Sequence, residues 1–414
     1  MKPVTFIVIG AGGRGTGYGE YALAYPRRAK VVGVAEPRDY YRERLATVHS
    51  IPPENVVADW RQLAGRKIAD AVIIATPDAL HADPAIAFAG LGYDVLLEKP
   101  MAPTAEACRR IAEAARVSGG LFAVCHVLRY TAYTRKLKEI VDSGVIGEIA
   151  SVQHLEPVGF WHQAHSFVRG NWRNEAQSSF MLLAKSCHDL DWLRHIIGRR
   201  CLKVSSFGSL MHFRKECKPG KAGNATRCVE CAHEPRCPYS AVGIYVRAWS
   251  LHGGGWPANV VAPDPTPERL MEALRTGPYG RCVYECDNDV VDHQEVNLLY
   301  EGGATAAFTM TAFTEGAGRQ TRIFGTQGEL RGDSERITHY DFLTNRTRTV
   351  DTRKKSRLSG HGGGDHGLME SFVAAVATRD PGKILSGAQE SLETHLTVFA
   401  AEQARREGRV ITVE

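Results

Sequence analysis

The chain has 414 residues, of which 43% are hydrophobic and 23% charged, as in ordinary folded globular proteins. This length exceeds what one hydrophobic core usually supports, so we expect about two or three structural units. The formal net charge of +5 comes from scattered lysines and arginines, and the apolar runs are too short for a membrane span, which argues against nucleic-acid and membrane partners. The opening residues MKPVTFIVIG lack the hydrophobic region of a signal peptide, so we expect a cytoplasmic protein.

Short apolar runs alternate with helical stretches through residues 1–126. The runs read VTFIVIG, KVVGVAE, DAVIIATP, DVLLEKP and LFAVCH. Between the last two, TAEACRRIAEAARVSG carries apolar residues at helical spacing. This β-α-β order is typical of a doubly wound parallel sheet with helices on both faces, and it predicts an α/β domain over residues 1–126.

Longer strands of alternating polarity follow in residues 127–414, for example VVDHQEVNLLYEGGATAAFTMTAF and QTRIFGTQGELRGD. Gly-rich turns between such strands favour a large, mainly antiparallel sheet, so we expect a second α/β domain over this range. Residues 212–281 interrupt the pattern with many Cys, Pro and Gly residues and predict an inserted lobe.

A glycine pattern, VIGAGGRG, lies between the first predicted strand and a helix. Gly10, Gly12 and Gly15 match G-x-G-x-x-G, which in this context indicates a Rossmann turn around a dinucleotide pyrophosphate. Glu36, 21 residues after Gly15, ends the second strand, where a carboxylate can accept hydrogen bonds from the ribose 2′-hydroxyl. This favours NAD over NADP, although the nearby Arg38 offers a guanidinium for a 2′-phosphate.

Three further motifs follow in order: ATPDALH at 75–81, LEKP at 97–100 and HDLDWLRHIIG at 188–198. Together with CHVLRYTAYTRKLKEIVDSGVIGEI at 125–149, they resemble the Gfo/Idh/MocA family, named for glucose-fructose oxidoreductase, inositol dehydrogenase and a rhizopine catabolism protein. The resemblance implies a Rossmann domain, a second domain with an open-faced sheet, and a substrate bound between them. It also implies a homo-oligomer, either a dimer or a tetramer.

The same resemblance assigns roles to single positions. Lys99 matches the family lysine that hydrogen-bonds the reacting hydroxyl, and His188 matches the acid/base histidine. Many members have an aspartate four residues before that histidine, where this chain has Ala184. The residues expected at the cofactor are Gly10, Gly12, Gly13, Arg14, Gly15, Glu36, Arg38, Thr76, Pro77, His81, Glu98 and Lys99.

The stretch MLLAKSCHDLDWL, residues 181–193, predicts one amphipathic helix that carries Lys185 and His188 on neighbouring parts of a face. Oxidation of a secondary alcohol needs a base for the hydroxyl proton, and a histidine suits that task near neutral pH. We expect His188 to be this base, with Lys99 and Lys185 stabilising the developing alkoxide and lowering the histidine pKa. The alternative for Lys185 is a lysine exposed at a helix edge.

Aromatic, basic and acidic residues concentrate in the loops FWHQAHSFVRGNWRNE, ECDNDVVDHQ and HGGGDHG. Indole rings and guanidinium groups suit a polyhydroxylated sugar, including an anionic one, whereas the alternative is a set of surface loops with aromatic anchors. The residues expected to bind substrate are Arg129, Trp161, His165, Arg169, Trp172, Arg173, Asp191, Asp292, His293, His361 and Asp365.

Four cysteines fall within a short part of the predicted insertion. Cys217, Cys228, Cys231 and Cys237 have the spacing C-x10-C-x2-C-x5-C, which suits a closed tetrahedral zinc site with a structural role. An iron–sulfur cluster is the second choice, and free or disulfide-linked thiols are the third.

The sequence therefore predicts an NAD-dependent oxidoreductase that transfers hydride between nicotinamide and a secondary hydroxyl of a sugar, cyclitol or derivative. One alternative is an NAD-dependent glycoside hydrolase that works by transient oxidation, elimination and re-reduction. Another is a regulatory protein that binds the nucleotide without catalysis. Fold and cofactor site leave the identity of the substrate open.

Overall fold

The computed structural model describes residues 2–249, 255–353 and 360–414. Residues 250–254 of the predicted insertion therefore lie outside the described part of the chain. Within the described part, the first sheet has six parallel strands in the order β3-β2-β1-β4-β5-β6. This confirms the predicted parallel sheet and adds the short strand β3. The strands are β1 Val4–Ile9, β2 Ala29–Ala35, β3 Val56–Val57, β4 Ala71–Ile74, β5 Asp94–Leu97 and β6 Phe122–Val124.

Helices cover both faces of this sheet because the central strands are apolar on both faces. The helices that connect the strands are α1 Gly13–Ala24, α2 Asp39–His49, α3 Ala82–Gly90 and α4 Ala105–Ser118. Thr104 caps α4 through a hydrogen bond from the amide of Ala107, as expected for an N-cap threonine. A helix from the carboxyl-terminal part also packs here, since the rings of Phe372 and Phe6 lie 6.3 Å apart.

The second sheet has nine strands within the described residues, in the order β14-β13-β12-β11-β7-β10-β9-β8-β15. All neighbouring pairs are antiparallel except β7 with β10, which confirms the mainly antiparallel sheet. The strands are β7 Ile149–Pro157, β8 Cys201–Ser209, β9 His293–Tyr300, β10 Thr305–Thr311, β11 Gln320–Gly325, β12 Gly328–Gly332, β13 Arg336–Asp341, β14 Arg346–Asp351 and β15 Ile411–Thr412.

Apolar and polar residues alternate along these strands, so one face of the sheet is buried and the other is exposed. In β9, for example, Val296 and Leu298 are buried, whereas Glu295 and Asn297 are exposed. The buried face packs on helices of the second half, so one core lies between sheet and helices. The remaining helices are α5 Ala132–Asp142, α6 Phe160–His162, α7 Met181–Ala184, α8 Cys187–Ile197, α9 Ala258–Val261, α10 Pro267–Thr276, α11 Gly364–Thr378 and α12 Ala388–Glu407.

The stretch 181–193 is two helices rather than the single helix predicted. Between α7 and α8, Ser186 has φ −105° and ψ 8°, outside the regular helical region. Its carbonyl oxygen accepts hydrogen bonds from the amides of Asp189 and Leu190 and starts the new helix there. Lys185 and His188 therefore lie on either side of a break, and helical spacing does not set their relative position.

The insertion consists of short helical turns, α9, α10 and a π-type helical segment, Val242–Arg247. A second π-type segment, Gln163–Arg169, precedes the insertion in the chain. An isolated antiparallel bridge between Arg227 and Arg281 joins its beginning to its end. No helix within the described ranges is both long and apolar enough to cross a membrane.

Candidate functional site

The glycine turn lies at the carboxyl end of β1. Gly10 has a φ of 88°, and a side chain there would collide with the backbone of Ala75. A side chain at Gly15 would collide with the carbonyl group of Gly10, whereas Gly13 faces open space. Helix α1 begins at Gly13, so its free amides point into that space. This arrangement fits the pyrophosphate of a dinucleotide.

Glu36 ends β2 beside this turn and is buried. One carboxylate oxygen accepts a hydrogen bond from the amide of Ala11 at 2.9 Å, and the other accepts from Arg38 Nε at 2.7 Å. Burial raises the pKa of Glu36, but these hydrogen bonds outweigh burial and the pKa lies below its usual value. An ionised carboxylate at this position fits a ribose hydroxyl and disfavours a 2′-phosphate.

Arg14, a residue of the glycine turn, forms an ion pair with the buried Glu98. Arg14 Nε lies 2.5 Å from Glu98 Oε1, and the two terminal nitrogens of Arg14 donate to Asp365 at 2.8 and 3.0 Å. Tyr18 also donates to Glu98 at 2.8 Å. The predicted cofactor residues Arg14 and Glu98 therefore bind each other, and Asp365, predicted to bind substrate, holds α11 against the glycine turn.

Thr76, Pro77 and His81 follow β4. The ring of His81 is buried, with Nε2 at 2.9 Å from the carbonyl oxygen of Thr76 and Nδ1 at 2.8 Å from that of Pro100. His81 thus holds the loop after β4 against the loop after β5. Within the described residues, Thr76 Oγ1 is buried without a hydrogen-bond partner, as expected of a group that awaits a ligand.

Lys99 follows β5 and reaches into the second half of the molecule. Its Nζ donates a hydrogen bond of 2.6 Å to the carbonyl oxygen of Ala184 at the end of α7. The position that carries an aspartate in many members of the resembled family thus contributes a backbone carbonyl group here. A neutral acceptor leaves the positive charge of Lys99 available to the surrounding groups.

His188 lies in the first turn of α8 and is buried. Its ring centroid lies 5.9 Å from that of His126 and 5.9 Å from that of His361. Burial, followed by the charge of Lys99, holds the pKa of His188 well below its usual range. Among the described residues its Nδ1 atom has no hydrogen-bond partner. His188 of the second half of the molecule thus lies close enough to Lys99 of the first half for the lysine charge to lower its pKa.

Lys185 is directed elsewhere than predicted. Its Nζ forms an ion pair of 2.9 Å with Glu156 Oε1, and Glu156 also pairs with Arg319 at 2.8 Å. The groups that most depress the pKa of His188, after burial, are Lys99, His126, His361 and Arg319. Lys185 instead contributes, after burial, to the lowered pKa of His162.

Sequence reasoning missed the buried network beside His188. Asp189 pairs with Arg319, and its Oδ1 atom lies 3.2 Å from His154 Nε2. Burial raises the pKa of Asp189, but Arg319 and His154 outweigh it and hold that pKa well below the usual range. His126 follows β6, so the rule that ligands gather at the carboxyl ends of parallel strands could have found it. No motif marks Arg319.

Several predicted substrate residues are occupied by contacts within the protein. Arg129 and Asp191 are both buried and form a paired interaction of 2.6 and 2.7 Å, because a buried charge needs an opposite charge. Asp292 is also buried and accepts hydrogen bonds from the amides of Met211 and His212, and from His293. These side chains thus have partners within the protein, and their contacts with a substrate stay predictions.

The predicted substrate residues of the aromatic loop also make contacts within the protein. Trp161 stacks on His162, and Trp256 of the insertion, which no sequence motif marks, packs edge-on against both rings. His165 is buried and accepts or donates a hydrogen bond of 2.9 Å with the hydroxyl group of Tyr245. The remaining members are Arg169, which is buried under the insertion, Arg173, which pairs with Asp287, and Trp172, which is 39% exposed.

Three of the four predicted metal ligands lie together. Cys228, Cys231 and Cys237 line a small cavity, and Cys282 completes its set of thiols. Cys217 does not line this cavity; its Sγ atom donates to the carbonyl oxygen of Met211 at 3.4 Å. Nowhere in the described ranges do three or more His, Cys, Asp or Glu side chains already form a metal site, so zinc and iron–sulfur binding are not shown.

Family models match almost the whole chain. The model described as oxidoreductase family, NAD-binding Rossmann fold, matches residues 4–126. The model described as oxidoreductase family, C-terminal alpha/beta domain, matches residues 138–413.

Individual relatives agree with this assignment. YteT of Bacillus subtilis (strain 168), which bears an oxidoreductase name, is 26% identical over 337 residues, 77% of this chain and 76% of the relative. A 2,7-anhydro-N-acetylneuraminate hydratase of Mediterraneibacter gnavus is 28% identical over 208 residues, and the match spans about half of each protein (50% and 53%). Among solved structures, levoglucosan dehydrogenase in complex with NADH and L-sorbose superimposes with a TM-score of 0.73 over 100% of both chains, at 18% identity.

Proposed function

The chain belongs to the oxidoreductase family named Gfo/Idh/MocA, and we propose that it transfers hydride between NAD and a secondary hydroxyl of a sugar, cyclitol or derivative. The observation that carries this proposal is the position of Lys99 beside His188 at the edge where the glycine turn lies. The burial of His188 and the charge of Lys99 both favour the neutral imidazole that a proton acceptor requires.

The first domain has the groups that hold NAD. Open space in front of Gly13 and the amino terminus of α1 suit the pyrophosphate, and Glu36 suits the adenosine ribose. Thr76 Oγ1, without a partner within the described residues, is available at the end of β4. NAD held by these groups would supply a nicotinamide ring as the acceptor for a hydride from the carbinol carbon of the substrate.

Two side chains act on the substrate hydroxyl group, one as proton acceptor and one as hydrogen-bond donor. His188 takes the hydroxyl proton on its imidazole ring, and we assign it to Nε2 because Nδ1 is buried without a hydrogen-bond partner among the described residues. Lys99 donates a hydrogen bond from Nζ to the same oxygen and stabilises the negative charge that develops there. The contact of Lys99 with the Ala184 carbonyl group fixes its amine across the two domains. Lys185, paired with Glu156, shapes the wall of the site near His162 rather than acting on the proton.

We assign the sugar ring to the aromatic group formed by Trp161, His162 and Trp256. Stacked and edge-on rings provide apolar faces of the kind that bind the C–H side of a sugar. The lowered pKa of His162, caused first by burial and then by Lys185, keeps its ring neutral near pH 7. His361 lies against His188, and its Nδ1 atom is 3.1 Å from the carboxylate of Asp365, so we assign its other ring nitrogen to a substrate hydroxyl.

The test is an assay of purified protein with NAD⁺ against a panel of sugars, anhydrosugars, cyclitols and glycosides, followed by NADH absorbance. We expect turnover on at least one compound, and its loss in a His188→Ala variant that still binds NAD. Thermal stabilisation by NAD without NADH formation from any compound would favour the regulatory alternative and contradict this proposal.

A second candidate uses the same residues without net oxidation. The hydratase name of one relative is the observation that favours it, since NAD-linked oxidation acidifies the neighbouring carbon and permits elimination and water addition. Release of an aglycone, or hydration of an anhydrosugar, with no accumulation of NADH would support this candidate. Net NADH formation with stoichiometric ketone product would support the dehydrogenase.

We further infer a cytoplasmic homo-oligomer, a dimer or a tetramer. The ten cysteines are all free thiols, which fits a reducing compartment. The outer face and edge of the large sheet expose Leu202, Phe207 and Val410, the second of them at 65%, and such apolar side chains suit a partner surface. Light scattering of the purified protein gives the mass of the particle and tests this inference.

A further inference from the structure

The thiols of the insertion surround a common cavity in a combination that sequence spacing does not predict. Cys228, Cys231, Cys237 and Cys282 all line it, and its volume is about 20 Å³. We propose that these four cysteines form a structural zinc site, with Cys282 in place of Cys217 as the fourth ligand.

Backbone pairing brings Cys282 to the other three. Arg227 and Arg281 form an antiparallel bridge, and the amide of Cys282 donates a hydrogen bond of 2.8 Å to the carbonyl oxygen of Thr226. The residues that follow each bridge position, Cys228 and Cys282, therefore enter the cavity from adjacent segments. A zinc ion held there joins the beginning of the insertion to its end.

The charge around the cavity fits an anionic centre. Arg169 is buried, and its hydrogen bonds go to the carbonyl oxygens of Arg281 and Tyr239 and to Cys228 Sγ, the last at 3.5 Å. Its Nη1 atom has no partner among the described residues. A buried guanidinium needs a compensating negative charge, and zinc bound by four thiolates supplies one.

The cavity has room for a single metal ion, because its volume of about 20 Å³ exceeds the roughly 10–15 Å³ that one water-sized sphere needs. In the described residues the thiols do not yet stand at metal-ligand spacing, so zinc binding requires their side chains to turn inward. Four protein ligands leave zinc no open position, and its role is to stabilise the lobe.

The experiment is elemental analysis of full-length protein expressed with added zinc and dialysed, with cysteine variants as comparison. We expect about one zinc per chain in the wild type, near zero in Cys282→Ser and Cys231→Ser, and an unchanged value in Cys217→Ser and Cys286→Ser. Cys286 lies near Cys282 in sequence but outside the cavity lining, which makes it the matched control.

Visible absorbance of the cobalt-substituted wild type is a second measurement, and it does not depend on how well the variants fold. Intense visible bands of tetrahedral cobalt with thiolate ligands are expected in the wild type and in Cys217→Ser. Wild-type protein without zinc, zinc lost in Cys217→Ser but kept in Cys282→Ser, or bound iron with visible absorbance would each overturn the proposal. NAD binding is measured in parallel, so failure of the zinc site is distinguishable from failure of the proposed activity.

Discussion

Lys99 donates a hydrogen bond of 2.6 Å to the carbonyl oxygen of Ala184, and this contact joins the end of β5 to the end of α7. The lysine comes from the nucleotide-binding half, and the carbonyl group comes from the segment that leads into His188. The contact therefore sets the amine next to the histidine without neutralising its charge, because the acceptor is a carbonyl group rather than a carboxylate. The relative placement of proton acceptor and hydrogen-bond donor depends on this interdomain contact.

Replacement of Lys99 by Met should lower turnover by about a hundredfold or more, since the substitution removes the donor that stabilises the developing alkoxide. The dissociation constant for NAD should change little, because the glycine turn and Glu36 are retained. Steady-state rates with the substrate found in the panel and NAD titration by thermal shift measure the two quantities. Turnover within threefold of the wild type would contradict the role given to Lys99.

Replacement of His188 by Ala should lower turnover by about a hundredfold or more and remove the acidic limb of the pH profile of kcat/KM. In the wild type this limb should lie below pH 6.5, the ordinary pKa of histidine, because burial and Lys99 lower the pKa of His188. The measurement is kcat/KM between pH 5 and 9. A limb that persists in the variant would assign it to another group.

Replacement of Lys185 by Met should leave the acidic limb of that profile in place, because the lysine pairs with Glu156 at 2.9 Å instead of acting on His188. The variant should lose about 1–3 kcal/mol of unfolding free energy, since buried Glu156 then keeps one cationic partner among the described residues, Arg319. The double variant Lys185→Met/Glu156→Gln is the control and should recover part of that loss. A shift of the acidic limb to higher pH in the single variant would restore the role that the sequence suggested for Lys185.

The fold was largely predictable because it depends on local patterns. Apolar β-branched runs and helical spacing located five of the six parallel strands, and strand β3, with only Val56 and Val57, is too short to leave such a pattern. The break at Ser186 was not predictable, because the residues on both sides favour a helix and only the tertiary contacts of α7 and α8 separate them.

The site was predictable where a motif marks it and unpredictable where distant segments meet. Lys99 and His188 stand in motifs, and the structure brings them to one edge. Arg129 and Asp191 looked like ligands of a polar substrate because sequence does not reveal that two charges are buried against each other. Cys282 lies far along the chain from Cys237, and only the bridge between Arg227 and Arg281 brings it into the same cavity.

Replacement of Glu36 by Ser should improve NADP binding by about tenfold or more, because the substitution removes a like charge facing the 2′-phosphate. In the wild type NAD should raise the melting temperature at concentrations where NADP does not. The double variant Glu36→Ser/Arg38→Ala is the control, since Arg38 is the cation that remains to receive the phosphate. Equal stabilisation of the wild type by both nucleotides would contradict the assignment of Glu36.

Acid should destabilise the protein between pH 6.5 and about 5, and His395 allows this to be tested at one residue. Its Nδ1 atom donates to the carbonyl oxygen of Ser391 at 2.7 Å and its Nε2 atom accepts from the amide of Met101 at 2.9 Å, which requires a neutral ring. Burial lowers the pKa of His395 to about 4. The unfolded chain, with an ordinary histidine pKa near 6.5, therefore binds a proton in this range that the folded protein does not bind.

Stability from this histidine is accordingly complete above pH 6.5 and is lost as the pH falls toward 4, by about 1.4 kcal/mol per pH unit. His126, whose pKa burial lowers to about 3, contributes in the same direction.

Urea unfolding at pH 7.5, 6.5, 5.8 and 5.0 should give a shallower pH dependence for His395→Gln than for the wild type, because the amide keeps an acceptor for Met101 without titrating. The carboxylates with strongly lowered pKa, such as Asp189, lose their contribution only at lower pH, so they do not obscure this range. Parallel curves for the two proteins would show that His395 titrates alike in the folded and unfolded states.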